Sequence, residues 1–147
     1  AEATQSDAKK VGIKINLKNV DYNVLDGIGV RGEYDLLISN ILTEQAGDPE
    51  VFVNQYWKTN VDGSNPQNGS GYSNPEYDAL SDQLASEFDP AKRRDIIIKM
   101  EKIVQDDAAT LIFGYPQTNM VSNKSVQNAN IYPCDYYWVT KDITPAK

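Results

Sequence analysis

Asp78 and Asp82 stand one helical turn apart and Asp106 and Asp107 are adjacent; these are the carboxylate pairs with which the chain could attempt general acid–base chemistry. That chemistry needs two carboxyls converging on one desolvated spot, so that their environments push their pKa values apart. Adjacent residues diverge on a helix, and the face carrying Asp78 and Asp82 is expected to be solvated, so neither pair qualifies and no enzyme activity is assigned. The sequence contains no histidine. That removes Ser-His and Cys-His nucleophile pairs, the commonest general base and most transition-metal sites. The single cysteine, Cys134, can form no internal disulfide and belongs to no metal-ligand spacing; it reads as a small, partly buried apolar residue.

Gly27-Ile-Gly-Val-Arg-Gly32 spells the G-x-G-x-x-G of dinucleotide sites. In such sites the glycines follow a strand and open a helix, whereas here they close a helical segment and precede a strand-like one. A glycine-rich helix exit is the better reading. Residues 62–76 lack the acidic spacing of a calcium loop. Asn68-Gly-Ser70 and Asn123-Lys-Ser125 have the glycosylation triplet, a pattern frequent by chance, and 60–71 otherwise reads as a solvated connection. No cofactor is implied.

The elements that must carry these residues are plainest between Gly71 and Pro116. Ser73 or Asn74 caps a helix begun by Pro75, with Glu76 on the favourable side of the dipole. Tyr77, Leu80, Leu84 and Phe88 share its apolar face. Asp89-Pro90 repeats the start signal, and Ile96, Ile97, Met100, Ile103 and Val104 form a second stripe. Both helices need an apolar partner, and Leu111-Ile-Phe113 is expected to be a buried strand near it. Upstream, residues 1–10 are helix-compatible and end at Gly12, and Ile13 to Val20 alternates as a half-buried strand would. Asp21 caps a short helix holding Tyr22, Val24, Leu25 and Ile28, and Tyr34 to Ile41 reads as a central strand, giving a βαβ unit. Residues 42–49 form a loop at that strand's carboxyl end, where open α/β sheets place ligands, and a short helix follows from Pro49 to Trp57. The segment 119–122 is expected to be extended, and the aromatic tail 131–139 to pack as a strand or arm.

With 147 residues, 40% hydrophobic content, nine Tyr and two Trp, the chain suits a single globular domain, 1–147. No apolar run approaches the ~20 residues of a membrane span. Fourteen Lys and Arg against 21 Asp and Glu give a net charge of −7, and the cations are scattered. A nucleic-acid partner is therefore excluded. Residues 1–10 read directly into an element, so the chain is expected to be a fragment of something longer.

Three segments, in this order, resemble the extracytoplasmic solute-binding proteins of ABC importers, the oligopeptide-, dipeptide- and nickel-binding type. They are Gln5 to Leu17; Gly32-Glu-Tyr-Asp-Leu-Leu-Ile38 with Gly47-Asp-Pro49 beyond it; and Gly71-Tyr-Ser-Asn-Pro-Glu-Tyr-Asp-Ala-Leu80 followed by Asp89-Pro-Ala-Lys-Arg93 and Ile112-Phe-Gly-Tyr-Pro116. The resemblance implies a periplasmic-binding-protein-like (type II) α/β lobe with a mixed sheet flanked by helices. It implies most of the second, carboxyl-terminal lobe of a bilobal receptor, whose amino-terminal lobe lies upstream. It further implies extracytoplasmic location with a membrane anchor, a peptide or other small solute as ligand, and permease subunits of an ABC importer as partners. Position by position, Tyr22 falls where relatives carry a cleft-lining aromatic, and Asn40, Ile41 and Leu42 where they present backbone to an extended ligand. The stretch continues through Thr43 to the place of an aspartate that holds a peptide's ammonium group. Counted from Asp35 that place is Glu44; counted back from Pro49 it is Gln45. Glutamate could pair with an ammonium and glutamine could only hydrogen-bond, so peptides, nickel complexes, sugars and opines all remain open. The rival reading is a protein-interaction module without a small ligand, favoured by the aromatic tail.

Overall fold

Helix α1 (Glu2–Lys10) places Glu2 at its positive end and Lys9 and Lys10 at its negative end. It closes in a Schellman turn: the Gly12 N–H donates to the Lys9 carbonyl at 3.2 Å and the Ile13 N–H reaches back to that of Ala8 at 3.0 Å. Gly12 takes φ +82°, which favours glycine. Helix α2 (Tyr22–Arg31) starts on Asp21, whose carboxylate accepts the Asn23 N–H, and ends in the same turn with Gly32 at φ +64°. The computed structural model describes residues 1–41, 47–117, 119–132 and 139–146. They fall into two units, Ala1–Thr110 and Leu111–Lys147.

Three further helices hold the core of the first unit: α3 (Glu50–Trp57), α4 (Pro75–Ser86) and α5 (Pro90–Asp106). Both proline-led starts form as their spacing predicts. Asn74, rather than Ser73, caps α4 by accepting the Glu76 and Tyr77 N–H groups, and Asp89 accepts those of Ala91 and Lys92. Val53, Tyr77, Leu84, Ile96, Ile97, Met100 and Val104 form one buried cluster, with Phe52, Trp57, Tyr72, Leu80, Ile103 and Ala109 packed against it. Tyr77, Leu84 and Met100 are wholly buried, each such side chain stabilising the fold by about 1.5–3 kcal/mol through removal from water. The Tyr77 hydroxyl donates to the Val53 carbonyl at 2.6 Å, so its polar tip is satisfied inside the cluster. Tyr72 and Asn74 both donate to Asp107 Oδ2, at 2.6 and 2.8 Å, which ties the start of α4 to the end of α5.

The apolar partner shared by α4 and α5 is therefore α3. Residues 111–113 form no strand and Leu111, Ile112 and Phe113 are exposed. Phe88 also departs from its expected place: α4 ends at Ser86, Glu87 turns extended, and the ring of Phe88 is 86% exposed. The stripe through Tyr77, Leu80 and Leu84 stops one turn short because the helix does. The βαβ unit is not present among the described residues either. Segments 13–20 and 34–41 make no ladder hydrogen bonds, and Ile13, Leu17, Leu36 and Ile38 are exposed. A strand exists only through a neighbour that supplies alternating donors and acceptors, and among the described residues neither segment has one.

In the second unit, β1 (Val126–Gln127) pairs antiparallel with β2 (Thr144–Pro145), in register Val126 to Pro145 and Gln127 to Thr144. The Ala146 N–H donates to the Ser125 carbonyl at 2.8 Å and extends the pair by one bond. Segment 119–122 forms no strand in its described residues. Cys134 and most of the aromatic tail lie outside the described residues.

Candidate functional site

Tyr22 is the first residue of α2, set by the Asp21 cap, and is 65% exposed. One turn on, Asp26 shares its face. Helix α3 carries an aromatic group: Phe52 meets Trp57 edge-on at 5.0 Å and Tyr56 at 5.5 Å. Burial pushes the Tyr56 hydroxyl pKa up, and the charges of Asp26 and Tyr22 act in the same direction.

The far end of α2 is fixed by contact between backbones. A Cβ on Gly69 would run into the Gly29 carbonyl, and one on Gly32 into the Gly69 carbonyl. The G-x-G-x-x-G stretch is thus a helix exit, and its glycines also admit a second chain segment at zero side-chain thickness. That segment is held by Asn68, 3% exposed, whose amide donates to the Lys58 and Tyr72 carbonyls at 2.9 and 2.8 Å and whose Oδ1 accepts the Ser70 hydroxyl. The triplet at Asn68 is consequently closed to glycosylation in the folded chain, and this part of 60–71 is packed rather than solvated.

Leu37 touches α2 near Gly29, and the chain then emerges at Asn40 and Ile41, both exposed. Among the described residues no hydrogen bond or ring contact joins either to Tyr22. Leu42, Thr43, Glu44 and Gln45 lie outside the described residues. Beyond them Gly47 takes φ +71°, and Asp48 is anchored to two helices. Asp48 Oδ1 accepts the Glu50 N–H at 2.9 Å, an Asx turn that leads into α3, while Oδ2 receives Arg93 Nη2 at 2.9 Å and Nε at 3.2 Å. Arg93 also donates to Glu50 at 2.8 Å and to the Leu84 and Glu87 carbonyls at 2.9 and 2.7 Å. The Glu50 N–H and the Arg93 guanidinium hold the Asp48 carboxyl below the usual carboxylate range.

Arg93 and Asp48 were missed as a pair, although the sequence held a signal. Lys92 and Arg93 stand in the first turn of α5 with no acidic residue in that turn. Cations are unfavourable at that end of a helix, so one that is kept there has a partner elsewhere. The carboxylates weighed as dyads are also engaged structurally. Asp78, half-buried rather than solvated, accepts the Thr59 N–H and hydroxyl, and Asp82 pairs with Lys58. Among the described residues no three His, Cys, Asp or Glu side chains gather as a metal site.

No family model matches the chain. It is 33% identical over 128 residues to the probable D,D-dipeptide-binding periplasmic protein DdpA of Escherichia coli, covering 86% of this chain and 24% of that one. To the nickel-binding protein NikA of Staphylococcus aureus it is 30% identical over 139 residues, covering 95% and 27%. The crystal structure of that NikA in complex with Ni(L-His)2 superposes with a TM-score of 0.63 at 30% identity, over 73% of this chain and 22% of that one. The chain is a relative of the solute-binding proteins of ABC importers. A second structure, the ABC transporter substrate-binding protein CtaP of Listeria monocytogenes, superposes with a TM-score of 0.60 at 26% identity. The fold is periplasmic-binding-protein-like, helix-rich and with a two-stranded sheet among the described residues. The chain spans about a quarter of the length of the relatives it matches. Among the described residues no helix is long and apolar enough to cross a membrane.

Proposed function

We propose that this chain is most of the carboxyl-terminal lobe of an ABC-importer receptor, a single domain over 1–147 that captures a peptide or other small solute for transmembrane uptake. The observation that supports it most is the continuity of the likeness: 86% of the chain aligns with a dipeptide-binding protein and 95% with a nickel-binding one. The receptor works without bond chemistry, by closing two lobes over a desolvated solute. On this reading Tyr22, Asn40, Ile41, Leu42 and Thr43 line the solute cleft, and Glu44 or Gln45 meets the solute's polar end. The whole receptor is extracytoplasmic and membrane-anchored, and it delivers its solute to permease subunits.

The test is a thermal-shift screen of the full-length parent against dipeptides, oligopeptides, sugars and nickel chelates, with Glu44→Gln and Gln45→Ala alongside. A solute present at a hundred times its Kd raises the stability of the native state by about 2.7 kcal/mol. Stabilisation by one solute class, lost in one of the two variants, is the expected result. A parent whose midpoint no solute moves would overturn the reading in favour of an interaction module, whose candidate surface is the exposed group Leu111, Phe113, Tyr115 and Val121.

A further inference from the structure

The sequence contains a single Asn-Gly step, Asn68-Gly69. Such a step carries chemistry of its own in water. Glycine has no Cβ to obstruct approach, so its backbone nitrogen can attack the side-chain carbonyl carbon of the asparagine before it. A new C–N bond closes a succinimide ring as the carboxamide C–N bond breaks, and the amide nitrogen leaves as ammonia, taking the proton of the glycine N–H. Water then opens the ring at one carbonyl to give aspartate, or at the other to give isoaspartate, in which the β-carbon has become part of the main chain. Water is the only co-reactant.

Ring closure needs a carboxamide free to rotate and a backbone free to follow it, and the fold withholds both. Nδ2 of Asn68 donates to the Lys58 and Tyr72 carbonyls at 2.9 and 2.8 Å, and Oδ1 accepts the Ser70 hydroxyl at 2.8 Å. The residue is 3% exposed, and its own N–H donates to the Asn65 carbonyl at 3.2 Å. The backbone of Gly69 lies against Gly29 and Gly32, where even a Cβ would overlap the Gly29 carbonyl. Neither product fits what the asparagine leaves. An aspartate turns an acceptor toward the two carbonyls that Nδ2 served. An isoaspartate lengthens the main chain between residues 68 and 69, where two backbones touch.

We propose that Asn68 is a self-modification site closed by folding: it deamidates while the 58–72 loop is open, and its aspartyl and isoaspartyl products keep that loop from packing on α2 again. The modification is a one-way mark of time spent unfolded, and it does not depend on which solute the parent binds. Two variants separate its parts. Gly69→Ala places a methyl group beside the attacking nitrogen and is compared in denaturant, where its effect on packing plays no part. Asn68→Asp is one of the two products made in advance.

The full-length parent is held at mildly alkaline pH, folded in buffer and unfolded in guanidinium chloride, and sampled over time. Trypsin releases residues 59–92 as one peptide, and fragmentation mass spectrometry measures the exchange of amide for acid at Asn68. The expected result is modification at least about tenfold faster in the unfolded protein, because reaction in the folded one waits on opening of the loop. Unfolded Gly69→Ala should react several-fold more slowly than the unfolded parent. The Asn68→Asp parent should unfold at a lower denaturant midpoint. Equal rates in folded and unfolded protein overturn the closure by folding, and an unslowed Gly69→Ala overturns the succinimide route. An unchanged midpoint in Asn68→Asp overturns the one-way mark.

Discussion

Replacing Asn68 with aspartate exchanges one nitrogen for an oxygen at almost constant volume, and the structure assigns it a large cost. The nitrogen donates to the carbonyls of Lys58 and Tyr72, at 2.9 and 2.8 Å, from a residue 3% exposed. An oxygen in its place faces two acceptors. Two hydrogen bonds are lost, at about 1 kcal/mol each. The Lys58 carbonyl keeps the Asn65 amide as a donor, whereas among the described residues no other hydrogen bond reaches the part-buried Tyr72 carbonyl, adding about 1–3 kcal/mol for an acceptor left unpaired. The sum is about 3–5 kcal/mol, and Asn68→Ala, which brings no opposing charge, should cost about a kcal/mol less. Urea unfolding followed by the fluorescence of Trp57, next to this loop in sequence, measures it as a fall in midpoint at constant slope. A loss below about 1 kcal/mol for the aspartate variant would refute the argument that this amide fastens the loop against α2.

Gly69→Ala drives a methyl group into the Gly29 carbonyl and should destabilise by at least the 1–3 kcal/mol typical of overpacking, read as a lowered unfolding midpoint. Leu84→Ala empties a wholly buried position between α4 and α5 and should cost about 2–5 kcal/mol in the same assay. Phe88→Ser should change stability by no more than about 0.5 kcal/mol, because the ring is already in solvent; a large loss would mean that α4 continues through it. The Asp107 carboxyl is held below its ordinary range by Tyr72 and Asn74, and that of Asp48 by the Glu50 N–H and Arg93. Carboxyls depressed in the folded state contribute stability that is complete above the unfolded carboxylate pKa and is lost as pH falls through their folded values. Stability measured from neutral pH downward should therefore fall in the acid range less steeply in Tyr72→Phe than in the unsubstituted chain.

The helices were legible because their signals are local. Asp89-Pro90 and Asn74-Pro75 carry cap and first-turn proline side by side, and Gly12 and Gly32 mark where φ must turn positive. What failed depended on distant partners. The alternation of Ile13, Ile15 and Leu17 fits a strand, yet pairing is supplied by a neighbour that no local pattern names. Phe88 continues the period of α4 by arithmetic, but the helix stops at Ser86 and Asp89 begins the next. The glycines of α2 read correctly as a helix exit, while their second use depends on Gly69, far along the chain. Of the candidate site, Tyr22 and the stretch from Asn40 to Gln45 were reached through the family resemblance rather than from the residues themselves. The Asp48–Arg93 fastening beside it was visible only as a cation at the wrong end of a helix.

The receptor reading is tested most directly by calorimetric titration of the full-length parent with dipeptides, sugars and nickel chelates in turn. The account predicts saturable one-to-one binding of a single class, with the negative heat-capacity change of apolar burial on closure. A cooperatively folded parent that binds none of them would contradict it.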